Sequence, residues 1–212
     1  MQMLRHTLPY VALMTLVVVA SNFLVQFPVP GTIFGINLAD ILTYGAFIYP
    51  VSFLITDLTN RQFGPAAARR VVAAGFAVAV ILSIAASTHR IAIASGSAYL
   101  VGQLLDITLF NRLRRSSWWK APLVSTLLGS ALDTVIFFSL AFAAAFVFLG
   151  PNDDFALGTA PILGVVAYDI PRWMSWAIGD FTVKLLIGFC MLLPYGAVIS
   201  LVKPMPAAEP TA

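Results

Sequence analysis

The sequence is short of charge, cysteine and histidine, and each shortage removes a class of protein. Lys plus Arg number 12 and Asp plus Glu 9 in 212 residues, a charged share of 10%, against about 25% in an average soluble domain. The single cysteine, Cys190, leaves no intrachain disulfide and no thiolate metal cluster. With only His6 and His89, and no His-x-x-x-His or Cys-x-x-Cys spacing, the usual zinc centres are excluded. No Gly-x-x-x-x-Gly-Lys-Ser/Thr loop occurs, so the chain does not hydrolyse ATP through a P-loop. No cofactor and no nucleic-acid partner are expected, and nothing points to an enzyme.

What the chain has is apolar length. Hydrophobic residues make up 60% of it, and the mean hydropathy is +0.93. Crossing about 30 Å of hydrocarbon takes around 20 residues, and suitable stretches lie near 8–27, 38–59, 69–88, 91–111, 121–149 and 175–202. Backbone groups in lipid need internal partners, so runs without strand-like alternation are helices. The expectation is an all-α membrane protein with six transmembrane helices, forming one domain over residues 1–204, with a disordered Pro- and Ala-rich tail at 205–212. Arg5 and His6 before an apolar core imitate a signal peptide, but the apolar run continues through Phe27 and reads as the first span.

Basic residues give the orientation. Arg5, Arg61, Arg69, Arg70, Arg112, Arg114, Arg115, Lys120 and Lys203 fall on one side of the predicted spans, Arg90 and Arg172 on the other. The positive-inside bias then puts both termini in the cytoplasm. The first loop, FPVPGTIFGIN (27–37), reads as a turn or a partly inserted cap. The long 150–174 loop leads into WMSW (173–176), either an interfacial aromatic belt or a substrate lid.

Several ionisable groups fall inside the spans, where each costs about 2.5–3.5 kcal/mol near a helix centre and needs a partner or a task. At about 1.5 Å per residue, Asp133 and Lys184 lie near the midplane. Trp176, Asp180, Lys184 and Gly188 recur every four residues on one stripe; Thr126, Gly129, Asp133 and Phe137 form another, and Gln103, Asp106 and Phe110 a third. VGQLLDITLF (101–110) and LGSALDTVIF (128–137) echo each other on antiparallel neighbours. Asp180 and Lys184 either neutralise each other or serve a site, whereas Asp133 has no base one turn away on its own helix and points to function. In YPVSFLITDLTNRQFG (49–64), Asp57 and Arg61 make either a capping ion pair or a binding mouth, and Pro50 kinks the span and frees a carbonyl one turn earlier.

These segments together, YPVSFLITDLTNRQFG followed by AARRVV, QLLDITLFNRLR, and WWKAPLVSTLLGSALDTVIFFSLAF, resemble the queuosine precursor transporters of the YhhQ type, bacterial inner-membrane proteins within the vitamin uptake transporters. The likeness runs from about residue 10 to 200. It implies a six-span importer of 7-cyano-7-deazaguanine and 7-aminomethyl-7-deazaguanine for salvage into transfer RNA. Carried over by the resemblance are Asp57, Asn60, Arg61, Gln103, Asp106, Ser125 and Asp133.

The chemistry of such a solute suits these residues. A deazaguanine presents its ring N–H and 2-amino group side by side, and one carboxylate accepts both. Asp133 is the first choice and Asp106 the second. Gln103 or Asn60 donates to the ring carbonyl, and Phe110, Phe137 or Trp176 covers the flat face. Asp180 and Lys184 complete the candidate set.

A carboxyl group in low dielectric favours its neutral form, which would couple import to protons. The rivals are facilitated entry, and a substrate-binding subunit of an ATP-driven uptake complex served by a separate ATPase module; a homo-oligomer is also open. An intramembrane aspartyl protease would use Tyr168-Asp169 and Gly179-Asp180, but the first falls in a loop and Ala177 replaces the required glycine.

Overall fold

The computed structural model describes residues 2–115 and 117–201, with side chains from residue 6 onward. The tail at 205–212, Lys203 and the Arg5 side chain lie outside the described residues. The protein is mostly helical. Its elements are α1 (Gln2–Leu24), a hairpin of β1 (Thr32–Ile33) and β2 (Ile36–Asn37), α2 (Gly45–Ile48), α3 (Val51–Phe63), α4 (Pro65–Ala86), α5 (His89–Leu113), α6 (Lys120–Phe142), α7 (Asp154–Leu157), a second hairpin of β3 (Thr159–Ile162) and β4 (Val166–Pro171), and α8 (Arg172–Ile199).

Five helices are long and apolar enough to cross a membrane: His6–Leu24 within α1, then α4, α5, α6 and α8. The stretch 38–59, expected as one span, is not one helix. A 3-10 turn at Leu38–Asp40 is followed by the single turn of α2 and then by α3. Pro50 is the reason for the second break, since it has no N–H to donate. Tyr49 N–H still reaches the Gly45 carbonyl at 3.0 Å, but beyond Pro50 the bonds tighten to Ser52 N–H on Tyr49 O, 2.9 Å, and Phe53 N–H on Pro50 O, 3.1 Å. Together Gly45–Phe63 still extend about 28 Å at about 1.5 Å per residue.

The expected span at 121–149 is also shorter. It ends at Phe142, and a 3-10 segment, Ala144–Leu149, follows. Arg90 fixes that end. Its Nε donates to the Leu140 carbonyl at 2.9 Å, Nη2 to Ala143 O at 2.7 Å and Nη1 to Gly150 O at 3.1 Å, with Asn152 as a further partner. A guanidinium offers five donors in a fixed fork, and here it satisfies carbonyls that a helix end leaves bare. Arg90 is 2% exposed, so this base is a structural clasp.

Contacts between helix ends sort the bundle. At the first end, Tyr10 of α1 donates to Gln62 of α3 at 2.6 Å, Phe110 of α5 meets Tyr195 of α8 edge-on at 6.4 Å, and Trp118 packs under Gly196. This basic end carries Arg61, Arg69, Arg70, Arg112, Arg114, Arg115 and Lys120. At the opposite end α2 sits against the α1 backbone through Gly45, Gly179 of α8 meets Ile41, and the two hairpins approach each other at Gly35 and Val165. Both hairpins turn through a residue of positive φ followed by glycine: Phe34 (φ 50) and Gly35 (φ 81), then Leu163 (φ 52) and Gly164 (φ 76). Two successive residues of positive φ make the tight turn that matches strand twist. The buried apolar core lies among α1, α3, α4 and α5, around Met14, Val18, Ile55, Val71, Val72 and Tyr99.

Candidate functional site

The site is organised by the crossing of α5 and α6, which approach through Gly102 and Gly129. A Cβ on either glycine would come within 3.1 Å of the other's carbonyl oxygen. The same crossing sets Asp133 Cβ 3.1 Å from the Cβ position absent at Gly102, and Asp106 Cβ 3.4 Å from that absent at Gly129. The repeated Gly-x-x-x-Asp spacing therefore becomes a local two-fold relation: each aspartate rests on the other helix's glycine. Because the helices run oppositely, Asp133 lies toward the hairpin end and Asp106 toward the basic end.

At Asp133 the charges are matched. Lys184 Nζ lies 2.7 Å from Asp133 Oδ2 and 2.6 Å from Asp180 Oδ2, and also donates to Thr134 Oγ1 at 3.2 Å. Thr134 in turn donates to Asp180 Oδ2 at 2.8 Å, and Tyr49 O–H to Asp133 Oδ1 at 2.8 Å. The i,i+4 pair foreseen on α8 is thus one side of a triad that also reaches across to α6. Two carboxylates share one ammonium, which leaves a formal charge of −1. Among the described residues, Asp180 Oδ1 receives no donor.

This triad forms the floor of a cavity of about 310 Å³. The walls come from α1 (Ser21, Asn22), α2 (Gly45, Ala46), α4 (Ala79, Ser83), α5 (Ser95, Ala98, Tyr99) and α6 (Phe137), and the lining continues through Gln26, Thr43 and Ser87 at the helix ends toward the hairpin end. Its volume is within the about 300–1,000 Å³ typical of small-molecule sites, and a few polar groups in mostly small or apolar walls fit that type.

Of the residues expected from sequence, Asp133, Phe137, Asp180 and Lys184 line this cavity. Gln103, Asn60, Asp57, Asp106 and Ser125 are buried deeper, outside its lining. Gln103 belongs to a sealed polar layer, donating to Ser52 Oγ at 2.8 Å and accepting from Thr56 Oγ1 at 2.7 Å. Asn60 donates to the Ile107 carbonyl at 2.9 Å. Phe110 is buried against Tyr195, and Trp176 packs between Phe142 and Phe155.

The Asp57–Arg61 ion pair does not form: the ion pairs among the described residues are the two of Lys184, and Arg61 Nη1 instead faces Tyr195 O–H at 3.5 Å. Asp169 is exposed on β4 while Asp180 is engaged by Lys184 and Thr134, an arrangement unlike a protease dyad.

Sequence reasoning missed Tyr49, Thr134 and the serines of α1, α4 and α5. Tyr49 had a signal, an aromatic hydroxyl directly before the helix-breaking Pro50. Tyr99 had one too, one turn before Gln103 on the same face of α5.

Comparison with known proteins gives the family. A family profile described as "Putative vitamin uptake transporter" matches residues 43–198. The chain belongs to this family. It is 36% identical over 208 residues to the queuosine precursor transporter of Escherichia coli (strain K12), covering 88% of this chain and 83% of the relative. It is 34% identical over 214 residues, with the same coverage, to a "Probable queuosine precursor transporter" of Haemophilus influenzae. A Bacillus subtilis (strain 168) protein with that same name is 27% identical over 181 residues, 72% of this chain and 69% of the relative. No solved structure gives a significant match. This vitamin uptake family member is a transporter rather than an enzyme, a multi-pass protein of the bacterial inner membrane.

Proposed function

We propose that the transporter imports queuosine precursors, 7-cyano-7-deazaguanine and 7-aminomethyl-7-deazaguanine, through the cavity floored by Asp133, Lys184 and Asp180. The relatives' names supply the substrate class, and the carrying observation is a base-sized cavity ending on a carboxylate cluster. A carboxylate has about four lone-pair positions. Asp133 therefore accepts the ring N–H and 2-amino group of the solute in addition to Tyr49 and Lys184. Phe137 covers the ring face, and the unfilled Oδ1 of Asp180 receives the aminomethyl ammonium of the second substrate. The basic end is cytoplasmic by the positive-inside bias, so α1 begins and α8 ends inside, the broken α2–α3 segment makes the sixth crossing, and the cavity opens outward. Below it, the fully buried Ser52, Phe53, Thr56 and Gln103 close the inner half. Asp57 and Asp106 stand outside this solute site.

A strain unable to make deazaguanines tests the reading. Micromolar precursor in the medium restores queuosine in transfer RNA when the transporter is expressed, and Asp133→Ala abolishes the restoration. Restoration of equal strength with Asp133→Ala would remove that residue from the site.

A further inference from the structure

Beneath the cavity lies a second acidic group that the solute site does not use. Asp57 of α3 and Asp106 of α5 are 1% and 0% exposed, and they lie between two hydrogen bonds that tie these helices together, Thr56 to Gln103 at 2.7 Å and Asn60 to the Ile107 carbonyl at 2.9 Å. Among the described residues no cation pairs with either. The one Ser125 hydroxyl proton is divided between Asp57 Oδ1 and the Pro122 carbonyl, each at 3.4 Å. Among the described residues both oxygens of Asp106 are buried without a donor, as is Ser130 Oγ one turn before Asp133. The neighbours supply no other titratable partner in contact: Arg61 on α3 turns to Tyr195 of α8, α6 brings hydroxyls only, and Arg69 and Arg70 of α4 are exposed.

Two carboxylates so placed do not both stay charged in low dielectric without a cation. A proton between them supplies the donor that Asp106 lacks and removes the repulsion at once. A metal ion fits poorly, since no third His, Cys, Asp or Glu joins the two carboxyls among the described residues and hard cations take six or more oxygen ligands.

We propose that Asp57 and Asp106 form the proton-binding site that couples transport to the proton gradient, separate from the cavity that takes the solute. The inference rests on the import reading. In the outward-open form the pair is sealed and holds the proton. When the inner half opens, the shared O–H releases its proton to cytoplasmic water and both carboxylates become hydrated. The pair takes up its next proton from the outer side when the Ser52–Gln103–Thr56 layer that separates it from the cavity parts and admits water.

Two measurements test this. In sodium-free proteoliposomes, wild-type protein accumulates labelled 7-aminomethyl-7-deazaguanine under an outside-acid gradient, up to about tenfold per pH unit for one proton per solute. Asp106→Asn and Asp57→Asn keep solute exchange across the membrane but lose the accumulation. Accumulation by both variants at the wild-type level, or wild-type accumulation that requires sodium, would overturn the proposal. Absence of any wild-type exchange would instead remove the import reading. The second measurement needs no solute: dicyclohexylcarbodiimide attacks protonated carboxyls in apolar surroundings, and mass spectrometry of the treated wild-type protein finds the adduct on Asp57 or Asp106 and not on Asp133. An adduct on Asp133 with none on the pair contradicts a proton held there.

Discussion

Asp133 and Asp106 occupy equivalent places in the α5–α6 crossing, each over the opposite glycine, yet their surroundings are opposite. Asp133 has an ammonium at 2.7 Å, a tyrosine hydroxyl at 2.8 Å and an open cavity. Asp106 has a second acid on the adjoining helix α3, no donor among the described residues and no access. One near-symmetric backbone thus carries a compensated, reachable charge at one level and an uncompensated, sealed one at the other. The difference separates holding a solute from holding a proton, and it is made by the helices packed on either side: α8 contributes a lysine to one aspartate, while α3 contributes a second acid to the other.

The largest effect comes from breaking the compensation. Lys184→Met leaves the buried Asp133 and the half-buried Asp180 without their ammonium and costs about 3–5 kcal/mol, read as a lowered thermal midpoint in detergent. Adding Asp133→Asn and Asp180→Asn returns most of that stability without returning transport. Asp106→Asn behaves oppositely, leaving the midpoint unchanged or higher, because the amide N–H takes the place of the shared proton and the pair keeps its charge. A fall as large as that of Lys184→Met would erase the contrast.

Next in size is the crossing itself. Gly129→Val places methyl groups where a Cβ alone would already be 3.0 Å from Phe53 and 3.1 Å from the Gly102 carbonyl. Such overpacking costs about 1–3 kcal/mol, measurable in the same melts. The charge of −1 on the triad gives a finer test. Asp180→Asn weakens the aminomethyl compound by about tenfold, about 1.4 kcal/mol, and the uncharged cyano compound much less, as measured by titration calorimetry. Phe137→Ala is the smallest, with about 0.5–1.5 kcal/mol lost from stacking for both compounds alike.

Much of this contrast was legible in the sequence. Asp133, Asp180 and Lys184 stood out because lipid does not tolerate such groups without a reason, and the echo of Gly, Leu, Asp and Phe put one aspartate on each of two antiparallel neighbours. Partners across helices were not legible, since depth alone does not decide whether Lys184 faces Asp133 or whether Arg61 turns to Asp57 or to Tyr195. Residue 38 onward read as one span because hydropathy is blind to hydrogen-bond breaks; the structure interrupts it at Pro50 and so sets Tyr49 beside Asp133. The cavity walls escaped for another reason. Alanines, serines and glycines on α1, α4 and α5 have the composition of helix-packing surfaces, and only the arrangement of helices leaves space between them.

A structure with 7-aminomethyl-7-deazaguanine bound decides where the solute sits. The ring N–H and 2-amino group are expected within hydrogen-bonding distance of Asp133, the ammonium at Asp180, and the Asp57–Asp106 pair untouched. A solute found between Asp57 and Asp106, with the upper cavity empty, would contradict that placement.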